Sequence, residues 1–315
     1  MKRNHNTAII AAVAVLSIAL LSGCRELPGK EAADHQLEQR LNGNFQQETV
    51  ETVKQGLGEA TLGVEQAVQN GAAKVAEEIK TGSLSKELNI AKKADSVSAL
   101  VLENSVGEVK IISGNSDFIT IKATVITHPG HNQETEQKIL DSAEVTVQAD
   151  GNELKVSTHA MNEPQKDLWT WAQKKYGSSD FSINYEIQVP STMDEYYISN
   201  NVGAIRLHGL NGTFHIDSNV GAIVLEAVQF SGKSTVKSNT GSIELDIRGM
   251  ESESSLMASS DIGKITADLN SGLKCTVSTK SELGQITGSG SRKREMNGGG
   301  PLISLSTQIG SITVQ

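Results

Sequence analysis

Cysteine is nearly absent from this chain, with two in 315 residues, Cys24 and Cys275. That excludes a disulfide framework, so an apolar core has to hold the fold. Aromatic residues make up 3% of the chain and prolines number five; the core filling therefore falls to Ile, Leu and Val. Positive charge is in deficit, with 28 Lys and Arg against 37 Asp and Glu and a net charge of −9 at pH 7. Such a balance argues against nucleic acid or an anionic membrane surface as a partner. Short catalytic signatures are missing too: there is no nucleophile elbow, phosphate-binding loop, zinc-ligand spacing or calcium-binding glycine–aspartate nonapeptide. The sequence points to no cofactor and away from an enzyme.

Long apolar runs are absent save one, AIIAAVAVLSIAL at 8–20, which is too short to span a bilayer comfortably. Lys2 and Arg3 precede it and LSGC ends it at 21–24, the layout of an export signal. The segment resembles a bacterial lipoprotein signal with its lipobox. That resemblance implies cleavage before Cys24, a lipid on Cys24, and an extracytoplasmic protein anchored to a membrane of the cell envelope. Without Lys2 and Arg3 the mature chain carries 26 basic and 37 acidic residues, about −11 net. Residues 25–45 are polar and suit a tether. Cys275, left without a pair, alternates with Val277 and Thr279 and is expected to be a small buried apolar residue.

Glycine is plentiful, 29 residues in all, and seven glycines sit in one recurring phrase. The copies are NNVGAIRL at 200–207, SNVGAIVL at 218–225, SNTGSIEL at 238–245, SDIGKITA at 260–267, SELGQITG at 281–288 and TQIGSITV at 307–314. Gly203, Gly221, Gly241, Gly263, Gly284 and Gly310 follow at intervals of 18, 20, 22, 21 and 26 residues, and NSVGEVKI places Gly107 far upstream. Two residues after each glycine of the six stands isoleucine, then an alternating Leu, Ala, Gly or Val. Alternation of that kind sets one side of a strand inward, and glycine marks a corner or a close approach. The polar pair ahead of it, as in Ser218-Asn219, suits a locally bonded turn. Asn201, Asn219, Asn239 and Asp261 are expected to form a polar ladder. Identical residues once per repeat stack best in parallel. The fold class expected is all-β: a single-stranded parallel β-helix or β-solenoid over 97–315, its ladder at 197–315, with a strand-rich N-terminal cap. Antiparallel hairpins in a sandwich are the alternative.

Ahead of it, Val50, Val53, Leu57, Ala60, Val64, Ala67, Val68, Val75 and Ile79 recur near the helical period, predicting a helical stalk over 46–92. Strand patterns begin near Val97. AEVTVQADGNELKVST at 143–158 reads as a hairpin turning at Asp150-Gly151. His128 and His131 lie in a polar segment, where two imidazoles alone make a poor metal site. Trp169 and Trp171 interrupt the pattern; they cap the core or, exposed, anchor a partner.

The order of a VGEVKI start, a variable middle, INYEIQVP ending in Pro190 and then NVGAI and NTGSI phrases resembles a bacterial domain family of unknown function provisionally designated adhesins. The resemblance covers 97–315. It implies an exported protein of adhesive or binding function, in some members linked to envelope-stress operons. GSRKREMNGGG at 290–300 departs from the pattern as a basic, glycine-rich loop.

Outward residues of successive repeats form rows. One is His208, Glu226, Asp246, Asp268, Ser289 and Gln315; its neighbour is Arg206, Val224, Glu244, Thr266, Thr287 and Thr313. Stacked carboxylates serve as acid and base in carbohydrate-cleaving β-helices, as a surface for a cation, cationic peptide or sugar hydroxyls, or as a solvated face that blocks edge aggregation. The reading that follows is a lipid-anchored, non-catalytic solenoid for binding or adhesion to a protein or glycan. Glu226, Asp246, Asp268, Trp169 and Trp171 are its candidate surface, with a glycan-cleaving enzyme as the rival.

Overall fold

The computed structural model describes residues 82–94, 97–129, 132–288 and 293–315, with positions 66, 67, 70 and 71. The signal, Cys24, the tether and nearly all of 46–80 lie outside the described residues. Those described are mostly β.

The stalk expected over 46–92 is not helical at its end. LSKELNIAKK forms strand β1 (Leu84–Lys93), paired antiparallel along its whole length with β4 (Phe118–Thr127). Alternate side chains, Leu84, Leu88 and Ile90 among them, are half-buried against the core. Ten residues of ladder pairing override the helix propensity of Leu, Lys and Ala. Between these strands come β2 (Ala99–Val106) and β3 (Val109–Ser113), which carry the isolated upstream phrase.

Helix α1 (Gln133–Ser142) follows, its N-terminus capped by Asn132, whose side-chain oxygen accepts from Glu134 N–H. Lys86 Nζ donates to the carbonyls of Leu140, Asp141 and Ala143 at its other end, where a cation suits the helix dipole. The expected hairpin is present as β5 (Ala143–Asp150) and β6 (Glu153–Ala160), with Gly151 at its tip. Next are β7 (Glu163–Asp167), helix α2 (Leu168–Tyr176) and β8 (Phe181–Val189). Gly177 ends α2 in the left-handed conformation.

The repeats supply β9 (Glu195–Val202), β10 (Ile205–His208), β11 (Asn211–Val220), β12 (Ile223–Phe230), β13 (Lys233–Thr240), β14 (Ile243–Met250), β15 (Ser255–Ile262) and β16 (Ile265–Leu269). They end in β17 (Cys275–Leu283), β18 (Ile286–Thr287), β19 (Lys293–Met296), β20 (Leu302–Ile309) and β21 (Ile312–Val314). Strands before and after each corner glycine enter two different rows of parallel pairing. One row runs β8–β3–β10–β12–β14–β16–β21–β18. The other runs β6–β2–β9–β11–β13–β15–β20–β17.

Like stands on like in these rows. Ile205, Ile223, Ile243, Ile265 and Ile312 lie in register and are fully buried, each such side chain contributing roughly 1.5–3 kcal/mol of transfer free energy. The spatial order of the repeats is not the order of the sequence. The upstream copy stacks directly on the first of the six, and the last copy enters between the fourth and fifth. The glycine column therefore reads Gly107, Gly203, Gly221, Gly241, Gly263, Gly310, Gly284.

That column is where rungs approach most closely. At Gly241, φ is +150°, and an added Cβ would lie 1.9 Å from the carbonyl oxygen of Gly221. The carbonyl of one rung thus occupies the place of a side chain on the next, so both conformation and space demand glycine.

The polar pair before each glycine divides its work, and much of it reaches the next rung. In four of the six copies the inner member bonds the neighbouring glycine carbonyl: Asn200 Nδ2 donates to Gly107 O at 2.9 Å, Ser260 Oγ to Gly241 O at 3.2 Å, Ser281 Oγ to Gly310 O at 2.8 Å and Thr307 Oγ1 to Gly263 O at 3.1 Å, whereas the buried Ser218 and Ser238 hydroxyls have no partner among the described residues. Outer members form the amide ladder, Asn239 to Asn219 and Asn219 to Asn201, each at 2.9 Å. Asp261 bonds instead to Gln308 Nε2, which the inserted last rung sets beside it.

Gly241→Ala should therefore lower stability by more than about 3 kcal/mol, a strained φ being added to a backbone clash. Gly151→Ala, with φ +57° but nothing within 4 Å of the new methyl, should cost about 1 kcal/mol. Urea midpoints of the two variants compare them, and equal losses would contradict the packing account.

Candidate functional site

The outward residues of β10, β12, β14 and β16 share one face. His208 is in register with Glu226, and its Nδ1 lies 3.1 Å from Glu226 Oε2. Between β12 and β14 the register slips after Leu225, and Ala227 takes φ 58°. This is a β-bulge, with Glu226 and Ala227 together opposing one residue of β14. The freed N–H of Ala227 donates to Asp246 Oδ2 at 3.1 Å. One oxygen of Asp246 is thereby committed to the backbone. Asp268 lies beside Asp246 in register and is exposed. Gln315 continues the row through backbone bonds with Ala267 and Leu269, while Ser289 lies outside the described residues.

The same row of strands carries a different surface at its other end. Asn89 and Ala91 of β1, Lys110 and Ile112 of β3, Lys122 of β4 and Glu186 of β8 line an open groove of about 470 Å³. Lys122 Nζ stands 3.2 Å from Glu87 and 3.5 Å from Glu186. The hydrogen bond to Glu87, then the charge of Glu186, hold the Lys122 ammonium above its ordinary range. Arg206 Nε donates to Glu108 Oε1 at 2.8 Å. The face thus grades from mixed charge around Lys110, Lys122 and Arg206 to carboxylates at Glu226, Glu244, Asp246 and Asp268. Sequence reading missed the groove because its walls come from four strands separated by up to a hundred residues. The alternation within FITIKATVIT marks Thr120 and Lys122 as outward, but only the pairing brings them beside Lys110.

Trp171 is 2% exposed, edge-on to Tyr176 with the Lys175 ammonium over its ring. Trp169 is half-buried, stacks on Phe181 at 5.3 Å and donates its indole N–H to Phe181 O. Both rings pack with α2 against the core, so neither stands free as an aromatic anchor. Lys293 and Arg294 do not form the expected loop; they lie on β19, antiparallel to β17, and Arg294 donates to Gly288 O. Charged residues on such an edge discourage further strand addition.

Tyr197 and His215, not singled out from sequence, stack at 4.7 Å and 13° on the opposite row of strands. One face of each ring covers the other, and Tyr197 stays exposed. His128 Nε2 lies 3.2 Å from Ser182 Oγ, and His131 is outside the described residues. Among the described residues no group of three His, Cys, Asp or Glu is placed to hold a metal. No described helix is long and apolar enough to cross a membrane. Cys275 is buried, and burial pushes its thiol pKa up, the opposite of an activated nucleophile.

No protein-family model and no curated protein matches this chain. Solved structures do resemble it. A provisionally designated cell adhesion protein from Clostridium sporogenes is 11% identical with a TM-score of 0.42, covering 73% of this chain and 99% of its own. A provisionally designated adhesin from Bacteroides fragilis is 16% identical at 0.34, over 73% and 97%. A provisionally designated lipid binding protein from Parabacteroides distasonis is 12% identical at 0.26, over 73% and 96%. Similarity at this level carries no argument about activity.

Asp246→Ala strips the Ala227 N–H of its partner and should destabilise by about 1–2 kcal/mol. Asp268→Ala, on the exposed neighbour, should stay within about 0.5 kcal/mol of the parent. Chemical denaturation of both measures the difference, and equal effects would deny Asp246 its structural part.

Proposed function

We propose that this chain is a lipid-anchored bacterial envelope protein of the adhesin-like family, and that its two rows of parallel strands form a β-solenoid presenting a non-catalytic binding face. The solenoid reading is supported by like-on-like register across both rows and by the continuous glycine column. Anchoring rests on Lys2, Arg3, the apolar run and LSGC ending at Cys24. Family membership, with its link to envelope stress, rests on the order of phrases over 97–315.

One observation carries the binding function: the outward rows of β1, β4, β8, β3 and the repeats join into a continuous face that includes the open groove. An extended, graded face of this kind suits an elongated protein or glycan ligand. The rival reading, glycan cleavage by Asp246 and Asp268, needs both carboxylates free to exchange protons. Asp246 already accepts from the bulge backbone, which weighs against it.

Two experiments test the proposal. Cys24→Ser should abolish lipid labelling and release the protein from the membrane fraction; unchanged fractionation and labelling would defeat the anchor. On arrays of envelope and host glycans and proteins, the purified mature chain should bind without turnover, and Lys110→Glu should weaken binding at least several-fold. Turnover of any glycan that Asp246→Asn abolishes would establish the enzyme instead.

A further inference from the structure

The last repeat sits out of sequence order, and the geometry around it defines a site. β20 is paired on one side with β15 and on the other with β17, and the two registers coincide. Leu256 and Val277 both oppose Ile303, Ala258 and Thr279 both oppose Leu305, and Ser260 and Ser281 both oppose Thr307. In the other row Ile265 and Ile286 both oppose Ile312. The two walls therefore present one repeating pattern, each able to accept a parallel strand pair of the same phrase. Residues 302–315 fill the gap, burying Ile303, Leu305 and Ile312 completely.

The reason for the insertion is local. β19 turns back antiparallel on the outer edge of β17, from Cys275 opposite Met296 to Ser278 opposite Lys293. That edge is occupied when the chain returns, and only the inner edge, facing β15, remains for β20. The segment between passes through Asn297, Gly298, Gly299 and Gly300, all at positive φ. Asn297 Nδ2 pins this turn to the carbonyls of Ser271 and Leu273 at 2.9 and 2.8 Å.

We propose that the gap between Ser255–Leu269 and Cys275–Thr287 is a strand-pair binding site, filled in cis by Leu302–Val314 and fillable by the same segment of a second copy of this chain. The occupant is set by the walls. It must place β-branched or leucine side chains inward at alternate positions, a small hydroxyl or amide three residues before its glycine, and glycine itself at the corner. There Gly310 brings its Cα side against Gly263 O, and an added Cβ would come within 2.0 Å of that oxygen. A tethered segment has a high effective concentration, roughly millimolar for short flexible tethers, so the cis form dominates while the tether reaches. Shortening it shifts the balance to exchange between copies. This inference rests on strand register and corner packing and stands or falls independently of the binding face.

Two measurements on the mature chain test it. In a Lys280→Cys, Ser306→Cys protein the two outward positions are in register across β17 and β20 and should form a disulfide within one chain. Deleting Gly298–Gly300 from that protein should move the disulfide between chains, giving a dimer on a non-reducing gel and by light scattering. Second, a protease site placed at 289–292 lets the folded chain be cut without removing the rung. The cut protein should retain residues 302–315 and exchange them for a labelled synthetic copy, up to one per chain, while a Gly310→Val copy is refused by at least tenfold. A tether-shortened protein that stays monomeric or unfolds, a cut protein that does not exchange, or equal uptake of the Gly310→Val copy each overturns the proposal.

Discussion

Everything in the repeat region depends on how closely one corner lies on the next. The carbonyl oxygen of each corner glycine fills the space a side chain would need on the neighbouring rung, and φ there is outside the range that other residues reach cheaply. Approach at that distance allows Cα–H to carbonyl contacts, each of modest worth, and draws in the buried Asn, Ser or Thr that bonds the same carbonyl. Register follows from the corner. With it set, isoleucine falls on isoleucine through six repeats, and the aliphatic column runs beside a short aromatic one, Tyr196, Phe214 and Phe230, at the first repeats.

Much of this was legible in the sequence because a periodic constraint leaves a periodic trace. The glycine column, the inward isoleucines, the Asn201–Asn219–Asn239 ladder and the Asp150-Gly151 hairpin all follow from spacing and alternation. What was illegible depends on pairing partners rather than on local pattern. LSKELNIAKK has the composition of a helix and becomes β1 only because β4 offers an unfilled edge. The polar pair suits a turn closing on itself, yet in four copies its inner member reaches the next repeat. Gly310 follows Gly284 in sequence but precedes it in space, since β19 occupies the outer edge of β17. The phrase is the same in every copy and so carries no information about order.

The candidate site was legible only in part, for the same reason. The row His208, Glu226, Asp246, Asp268 was found because it repeats with the ladder. The bulge at Ala227, which commits one oxygen of Asp246, was hidden: EAV opposite DI looks unremarkable until the register slips. The groove beside Lys110 and Lys122 draws on strands that carry no shared phrase. Trp169 and Trp171 interrupt the repeat pattern, and from α2 both pack against the core, so a break in the pattern need not mean exposure.

The constraint that sets the repeat region is the stacking order of its corner glycines, Gly107, Gly203, Gly221, Gly241, Gly263, Gly310, Gly284. Nuclear Overhauser contacts between glycine Hα protons, recorded on selectively glycine-labelled mature protein, test it directly. Contacts are expected between Gly263 and Gly310 and between Gly310 and Gly284, with none between Gly263 and Gly284. A direct Gly263–Gly284 contact, or a column with no contacts between successive corners, would contradict it.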